Sequence, residues 1–224
     1  MDIQYNMKSQ TEKIGSITLN IECLDNLDHT IDEVFKHLEK AGNPQDLEEL
    51  CPYFGVIWPA ARALSEHLCE LPKEDIYNKR VLELGCGLAL PSMVCSRLGA
   101  HVLATDFHPE VPRFLTKNIE LNQIHNLEYL RINWETENPP MGEFDRVIGS
   151  DILYERRYPD PLAKTIRQLL VPGGEVIITD PGRPYLQGFV DAMQRQGFQQ
   201  TTTIKEVPHP PQRQEIFVLS FRAH

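Results

Sequence analysis

The chain has 224 residues, 41% of them hydrophobic, and 22 Lys and Arg against 32 Asp and Glu give a formal net charge of −10. That length suits one α/β domain with a short extension, or barely two small domains, and the apolar share supports a substantial core. The acidic balance argues against general nucleic-acid binding, which rests on Lys and Arg at phosphates, and no apolar run approaches the length of a membrane span.

Residues 13–24 alternate, with Gly15, Ile17, Leu19, Ile21 and Cys23 on one face, and are expected to form a half-buried strand. Residues 29–40 carry Ile31, Val34, Phe35 and Leu38 at helical spacing. Pro44 opens a further helical turn through Leu50, and Pro52 and Gly55 break it. Residues 1–57 are therefore expected to form an accessory cap, too short for an independent domain. Residues 58–224 form the main domain, which opens on a helix over 59–70 with Pro59 in its first turn.

Strands and helices then alternate. Strands are expected near 80–84, 101–105, 127–131, 144–149 and 174–179, and helices near 89–98, 110–122, 158–170 and 185–196. Such alternation calls for a parallel sheet covered on both faces, wound by right-handed crossovers. The tail departs from it. Residues 200–206 and 215–221 are two strand-like runs joined by Val207-Pro-His-Pro-Pro-Gln-Arg-Gln214, which reads as loop. Two strands without a crossover helix pair antiparallel or lie apart.

Five cysteines, at 23, 51, 69, 86 and 95, include no Cys-x-x-Cys pair, which argues against a disulfide framework or a structural zinc site. The eight histidines are scattered without ligand spacing, so no metal is expected. The start, Met1-Asp-Ile-Gln-Tyr-Asn6, lacks the basic and apolar regions of a secretory signal. A cytoplasmic location is expected.

Val81-Leu-Glu83-Leu-Gly85-Cys-Gly87 reads as a buried strand running into a glycine turn, and Asp106 closes the next apolar run 19 residues beyond Gly87. Strand, turn, helix, strand and terminal carboxylate make half of a nucleoside-binding crevice, with the carboxylate where ribose hydroxyls would lie. Dinucleotide turns use a third glycine, where this chain has Leu90. The Gly-Lys-Ser/Thr of a phosphate-binding loop does not follow either. Glu83 beside the turn would repel a pyrophosphate and attract a cationic ligand. S-adenosylmethionine, with an ammonium, a sulfonium, a ribose and no phosphate, fits this charge pattern better than NAD. A helix-packing turn in another α/β protein is the alternative reading.

Four features in order resemble the class I methyltransferases, and within them the family 16 group of seven-strand protein-lysine methyltransferases. They are Phe54-Gly-Val-Ile-Trp58-Pro59, the strand and turn through Gly87 with Ala89-Leu90-Pro91 after it, Asn133-Trp134, and Ser150-Asp151-Ile-Leu-Tyr154. The resemblance covers about residues 50–222. It implies a Rossmann-like, doubly wound, seven-stranded and mostly parallel sheet with a C-terminal antiparallel hairpin, here with a short N-terminal extension. It also implies S-adenosyl-L-methionine as cofactor and S-adenosyl-L-homocysteine as product. Residues matching Glu83, Gly85 and Gly87 line the methionine end of the cofactor in this family. The match to Asp106 holds the ribose, and Trp58 packs nearby. Trp134 with Asn133 frames the adenine, where the family usually has an Asp-Trp pair; asparagine still accepts a hydrogen bond but lacks the charge. Ser150 joins the cofactor-binding set.

Asp151 and Tyr154 are the candidate catalytic residues, placed beyond the carboxyl end of a central strand where open α/β sheets bind ligands. Methyl transfer from a sulfonium is an in-line displacement that needs alignment and, for lysine, a neutral amine whose free pKa is about 10.4. An aromatic cavity of Tyr154 and Trp58 disfavours the ammonium by desolvation. Asp151 either orients the amine or helps a water deprotonate it, and its charge also stabilises the ammonium. The bland alternatives are a helix cap for Asp151 and packing for Tyr154. The expected function is methylation of a lysine in a protein. A small amine or nicotinamide-like heterocycle as acceptor, and a non-catalytic cofactor-binding subunit, are the alternatives. Enzymes that methylate amino groups of nucleic acids carry an Asn/Asp-Pro-Pro-aromatic run at this strand end, which this chain lacks. Asn138-Pro139-Pro140-Met141 lies before the strand and reads as loop.

Overall fold

The structure is a computed structural model describing residues 4–134 and 143–223. The segment Asn138–Met141 lies outside the described residues. A two-stranded hairpin comes first, β1 (Met7–Ile14) and β2 (Ile17–Leu24), followed by α1 (Leu27–Lys40), the short α2 (Leu47–Leu50) and a 3-10 turn at Pro52–Gly55. The alternating core then runs α3 (Pro59–Glu70), β3 (Arg80–Leu84), α4 (Leu90–Arg97), β4 (His101–Asp106), α5 (Val111–Leu121), β5 (Leu127–Arg131) and β6 (Phe144–Ser150). It continues through α6 (Pro159–Leu169), β7 (Leu170–Asp180) and α7 (Leu186–Arg195) to the long hairpin β8 (Phe198–His209) and β9 (Gln212–Ala223).

The main sheet has seven strands in the order β5-β4-β3-β6-β7-β9-β8. The first five are parallel, and β9 lies antiparallel to both β7 and β8. This is the doubly wound plan with a terminal antiparallel hairpin. The direction of winding reverses between β3 and β6, so a crevice opens beyond their carboxyl ends.

The period of two along each strand divides the core. Val81, Ile148 and Ile177 join the cluster under α4 and α5, whereas Leu82, Val147 and Ile178 join the one under α6 and α7. Leu19, Ile21, Leu24 and Val34 from the extension belong to the first of these clusters. Among the described residues no helix is long and apolar enough to cross a membrane.

Two stretches differ from the sequence reading. The single strand expected over 13–24 is the turn and second arm of a hairpin, because Gly15 takes φ +55° and reverses the chain, pairing Ile14 with Ile17. The alternation of Leu19, Ile21 and Cys23 facing inward is as expected. The linker read as loop over 207–214 is mostly strand, and only Pro210 and Pro211 stand outside it. Val207 is buried against Ala60, Ala63 and Ile216. Pro208 is tolerated because β8 is an edge strand, where a missing N–H breaks no ladder bond on the open side.

The free side of β2 is satisfied by side chains of α5 and its C-cap. Asn122 accepts from Asn20 N at 2.9 Å and donates to Asn20 O at 2.7 Å. One turn earlier, Asn118 accepts from Glu22 N at 2.8 Å and donates to Glu22 O at 3.1 Å. Alternate residues of a strand are thus read by amides four apart on a helix, which share one face.

Candidate active site

The crevice is a cavity of about 690 Å³ at the carboxyl ends of β3, β4, β6 and β7, roofed by α1, α2 and the Pro52–Gly55 turn. Its size falls in the range of small-molecule and cofactor sites, roughly 300–1,000 Å³.

The glycine turn after β3 forms its floor. Cys86 N donates to Thr105 O at 2.9 Å and Gly87 N to Asp106 Oδ2 at 2.9 Å, so the loop is tied to the end of β4 at two points. Both glycines have positive φ, +64° at 85 and +50° at 87. A Cβ on Gly85 would lie 2.8 Å from Ile152 Cγ2, and one on Gly87 would lie 3.1 Å from Phe54 O. The glycines therefore admit both the bend and the roof above it.

Asp106 Oδ1 also accepts from His108 N at 3.0 Å. Burial raises the Asp106 pKa, and these backbone N–H groups oppose the rise. A carboxylate has about four acceptor sites, so Asp106 retains capacity beyond these backbone bonds. His108 packs on Phe54 with the rings tilted and centroids 4.2 Å apart, and its Nδ1 accepts from Glu110 N at 3.2 Å. Burial lowers its pKa to about 4, so the ring is neutral at physiological pH.

Aromatic side chains line one wall. Trp134, Tyr158 and Tyr154 form a ladder of edge-to-face contacts, with centroids 5.8 Å and 5.2 Å apart. Trp134 is buried, and its indole Nε1 has no hydrogen-bond partner among the described residues. Trp58 donates to Tyr53 O at 2.9 Å and faces the cavity with it.

Asp151 follows β6 with φ +56°, a left-handed conformation that aspartate tolerates better than most side chains. It is not a helix cap. Both of its oxygens are gripped by Arg183, Nε on Oδ1 and Nη2 on Oδ2, the latter at 2.9 Å. Arg183 is itself held by Asp180 at the end of β7, whose Oδ1 accepts from Gly182 N at 2.7 Å and Arg183 N at 2.6 Å. The Asp151 carboxylate raises the Arg183 pKa further.

Of the residues singled out from the sequence, Trp58, Gly85, Gly87, Asp106, Asn133, Trp134, Ser150, Asp151 and Tyr154 all line this one cavity. Glu83 does not reach its wall. It shares a face of β3 with Val81, is fully buried, and accepts from Ser92 N at 3.0 Å and from the Ser92 hydroxyl. Burial raises its pKa to about 8. Arg183, Tyr158, Tyr53 and His108 also line the cavity and were not singled out. A signal for Arg183 lay in Asp180-Pro-Gly-Arg183, a third acid at the carboxyl end of a parallel strand followed by turn residues.

A doubly wound, seven-stranded sheet closed by an antiparallel hairpin, with a glycine turn and a strand-end carboxylate opening on one cavity, has the plan of the class I methyltransferase fold. The 16S rRNA N2 G1207 methyltransferase RsmC of T. Thermophilus, solved with AdoMet and guanosine, superposes with a TM-score of 0.67 at 16% identity, covering 99% of this chain and 52% of that one. The profile of the lysine methyltransferase family matches residues 46–196, and the chain belongs to that family. The electron transfer flavoprotein beta subunit lysine methyltransferase of Rattus norvegicus is 32% identical over 139 residues, 61% of this chain and 53% of the relative. The histone-arginine methyltransferase METTL23 of Xenopus laevis is 29% identical over 126 residues, 54% of this chain and 53% of the relative. The matched stretches thus span about half the length of these curated relatives.

Proposed function

We propose that this chain transfers a methyl group from S-adenosylmethionine to the side-chain amine of a lysine in a protein. The carrying observation is that the Asp106-tied glycine turn and the Asp151–Tyr154 segment open on one cavity. The pocket suits the cofactor chemically. Trp134 Nε1 is an orphaned buried donor at the wall, Asp106 offers acceptors for hydroxyls, and the phosphate-binding signatures are missing from the turn. When bound, the cofactor supplies an electrophilic methyl group on a positively charged sulfur.

In this reading Gly85 and Gly87 leave room for the cofactor's amino-acid end, Asp106 holds the ribose, and Trp134 with Asn133 borders the adenine. Trp58 and Ser150 complete the surround. Tyr154, 42% exposed at the cavity, walls the path of the amine. Asp151 anchors Arg183 beside that path. The aromatic lining favours an uncharged nitrogen, and alignment supplies the acceleration.

The description of the family supports a lysine acceptor, and the names of relatives support a protein one. The test is incubation of the purified chain with methyl-labelled S-adenosylmethionine and protein extract. Hydrolysis of the labelled protein is expected to yield N-methyllysine. Label found as methylarginine, or only in small amines, would contradict the reading.

A further inference from the structure

A carboxylate beside an acceptor amine holds that amine as an ammonium, which has no lone pair to give. Asp151 stands in this position, yet its charge is not what the cavity meets. The Asp151 side chain is 8% exposed and the Arg183 side chain 34%, so the guanidinium covers the carboxylate. Both oxygens are committed to Arg183 through a two-point fork, a geometry specific to arginine. The fork is braced from behind, because the Asp180 side chain fixes the backbone at Gly182 and Arg183 and is itself fully buried.

We propose that Arg183 sets the charge of the acceptor subsite, masking Asp151 and presenting a cation, so that the amine is taken up as the uncharged base. This rests on the reading of the cavity as a lysine methyltransferase site. Arg183 acts through Asp151 and is a positioning residue. A cation beside an amine favours its neutral form, the arrangement that activates amine nucleophiles.

The charged and titratable neighbours can be named by element. Asp151 and Tyr154 face Arg183 from the segment after β6, Asp180 from the end of β7, and Tyr53 from the roof. Further along the wall, Glu155 is bound by Tyr158 at 2.7 Å and Arg157 at 2.7 Å. His108 is neutral, as described above. The roof adds Glu48 and Glu49 on α2, and on this account they attract the ammonium from solvent before it loses its proton.

The experiment is a calorimetric titration of the full chain with n-butylamine between pH 7.5 and 9.5, with and without saturating S-adenosylhomocysteine. The neutral fraction of an alkylamine rises tenfold per pH unit below its pKa of roughly 10.4. Wild type is therefore expected to gain about 100-fold in apparent affinity across this range. Arg183→Met bares Asp151 and takes up the ammonium, so its affinity is expected to change by less than about threefold. Arg183→Lys keeps the cation and is expected to restore most of the pH dependence. In methyl transfer, the acidic limb of the kcat profile for Arg183→Met moves to higher pH while KM for the amine falls. The same pH dependence in wild type and Arg183→Met, or no uptake of butylamine by wild type, would overturn the proposal. Failure to bind S-adenosylhomocysteine would instead overturn the cofactor reading, and the titration without it would still report on Arg183.

Discussion

Glu83 shows how the face of a strand decides what a residue can do. The charge beside the glycine turn was legible from the sequence, but its direction follows from the period of two: a residue two along from Val81 shares its face and meets α4 at Ser92. Its role is to receive the first turn of that helix. Over the window between the ordinary glutamate pKa and about 8, the folded chain keeps a proton that the unfolded chain has released. Stability must therefore fall as pH rises through that window, by at most about 1.4 kcal/mol per pH unit. Glu83→Gln is expected to flatten this slope and raise Tm at pH 8. Parallel melting curves for the two proteins between pH 5 and 8 would contradict it. Asp106 both closes the turn and faces the cavity, so Asp106→Ala is expected to weaken S-adenosylhomocysteine binding by about 10- to 100-fold in calorimetry, the scale of a lost charged hydrogen bond. Asp151→Asn keeps a side chain suited to φ +56°, and Tyr154→Phe keeps the ring. Both are expected to lower kcat far more than they change cofactor affinity; an equal loss of the two would move these residues to the binding shell.

At the scale of elements, the parallel strands, crossover helices and closing hairpin were legible because apolar periodicity reports burial on two faces. Boundaries moved where the pattern is blind to geometry. The alternation of residues 17–23 carries no mark of the turn before it, and Pro208 reads as loop although an open edge accepts it. The docking of β2 on α5 was invisible, since Asn118 and Asn122 look like ordinary polar residues until the partner strand is placed. Asn118 is fully buried. Asn118→Leu would strand the N–H and C=O of Glu22, at a cost of about 3 kcal/mol. The expected result is a fall in Tm of roughly 10 °C. An unchanged melting temperature would mean that the amides add nothing to holding the hairpin.

For the molecule as a whole, the candidate site is assembled from segments far apart in sequence, and its parts were legible unequally. The glycine turn, Asp106 and the Asp151–Tyr154 segment announce themselves as motifs at strand ends. Arg183 does not, because its part depends on Asp180 turning the chain back toward Asp151. The roof from α1 and α2 likewise takes on meaning only once folded over the crevice. One experiment bears most directly on the claim that this cavity holds an adenosyl-sulfur cofactor: parallel calorimetric titrations of the chain with S-adenosylhomocysteine and with NAD. Saturable uptake of the first, weakened in Asp106→Ala, and no heat from the second is the predicted result. Uptake of NAD with indifference to S-adenosylhomocysteine would contradict it.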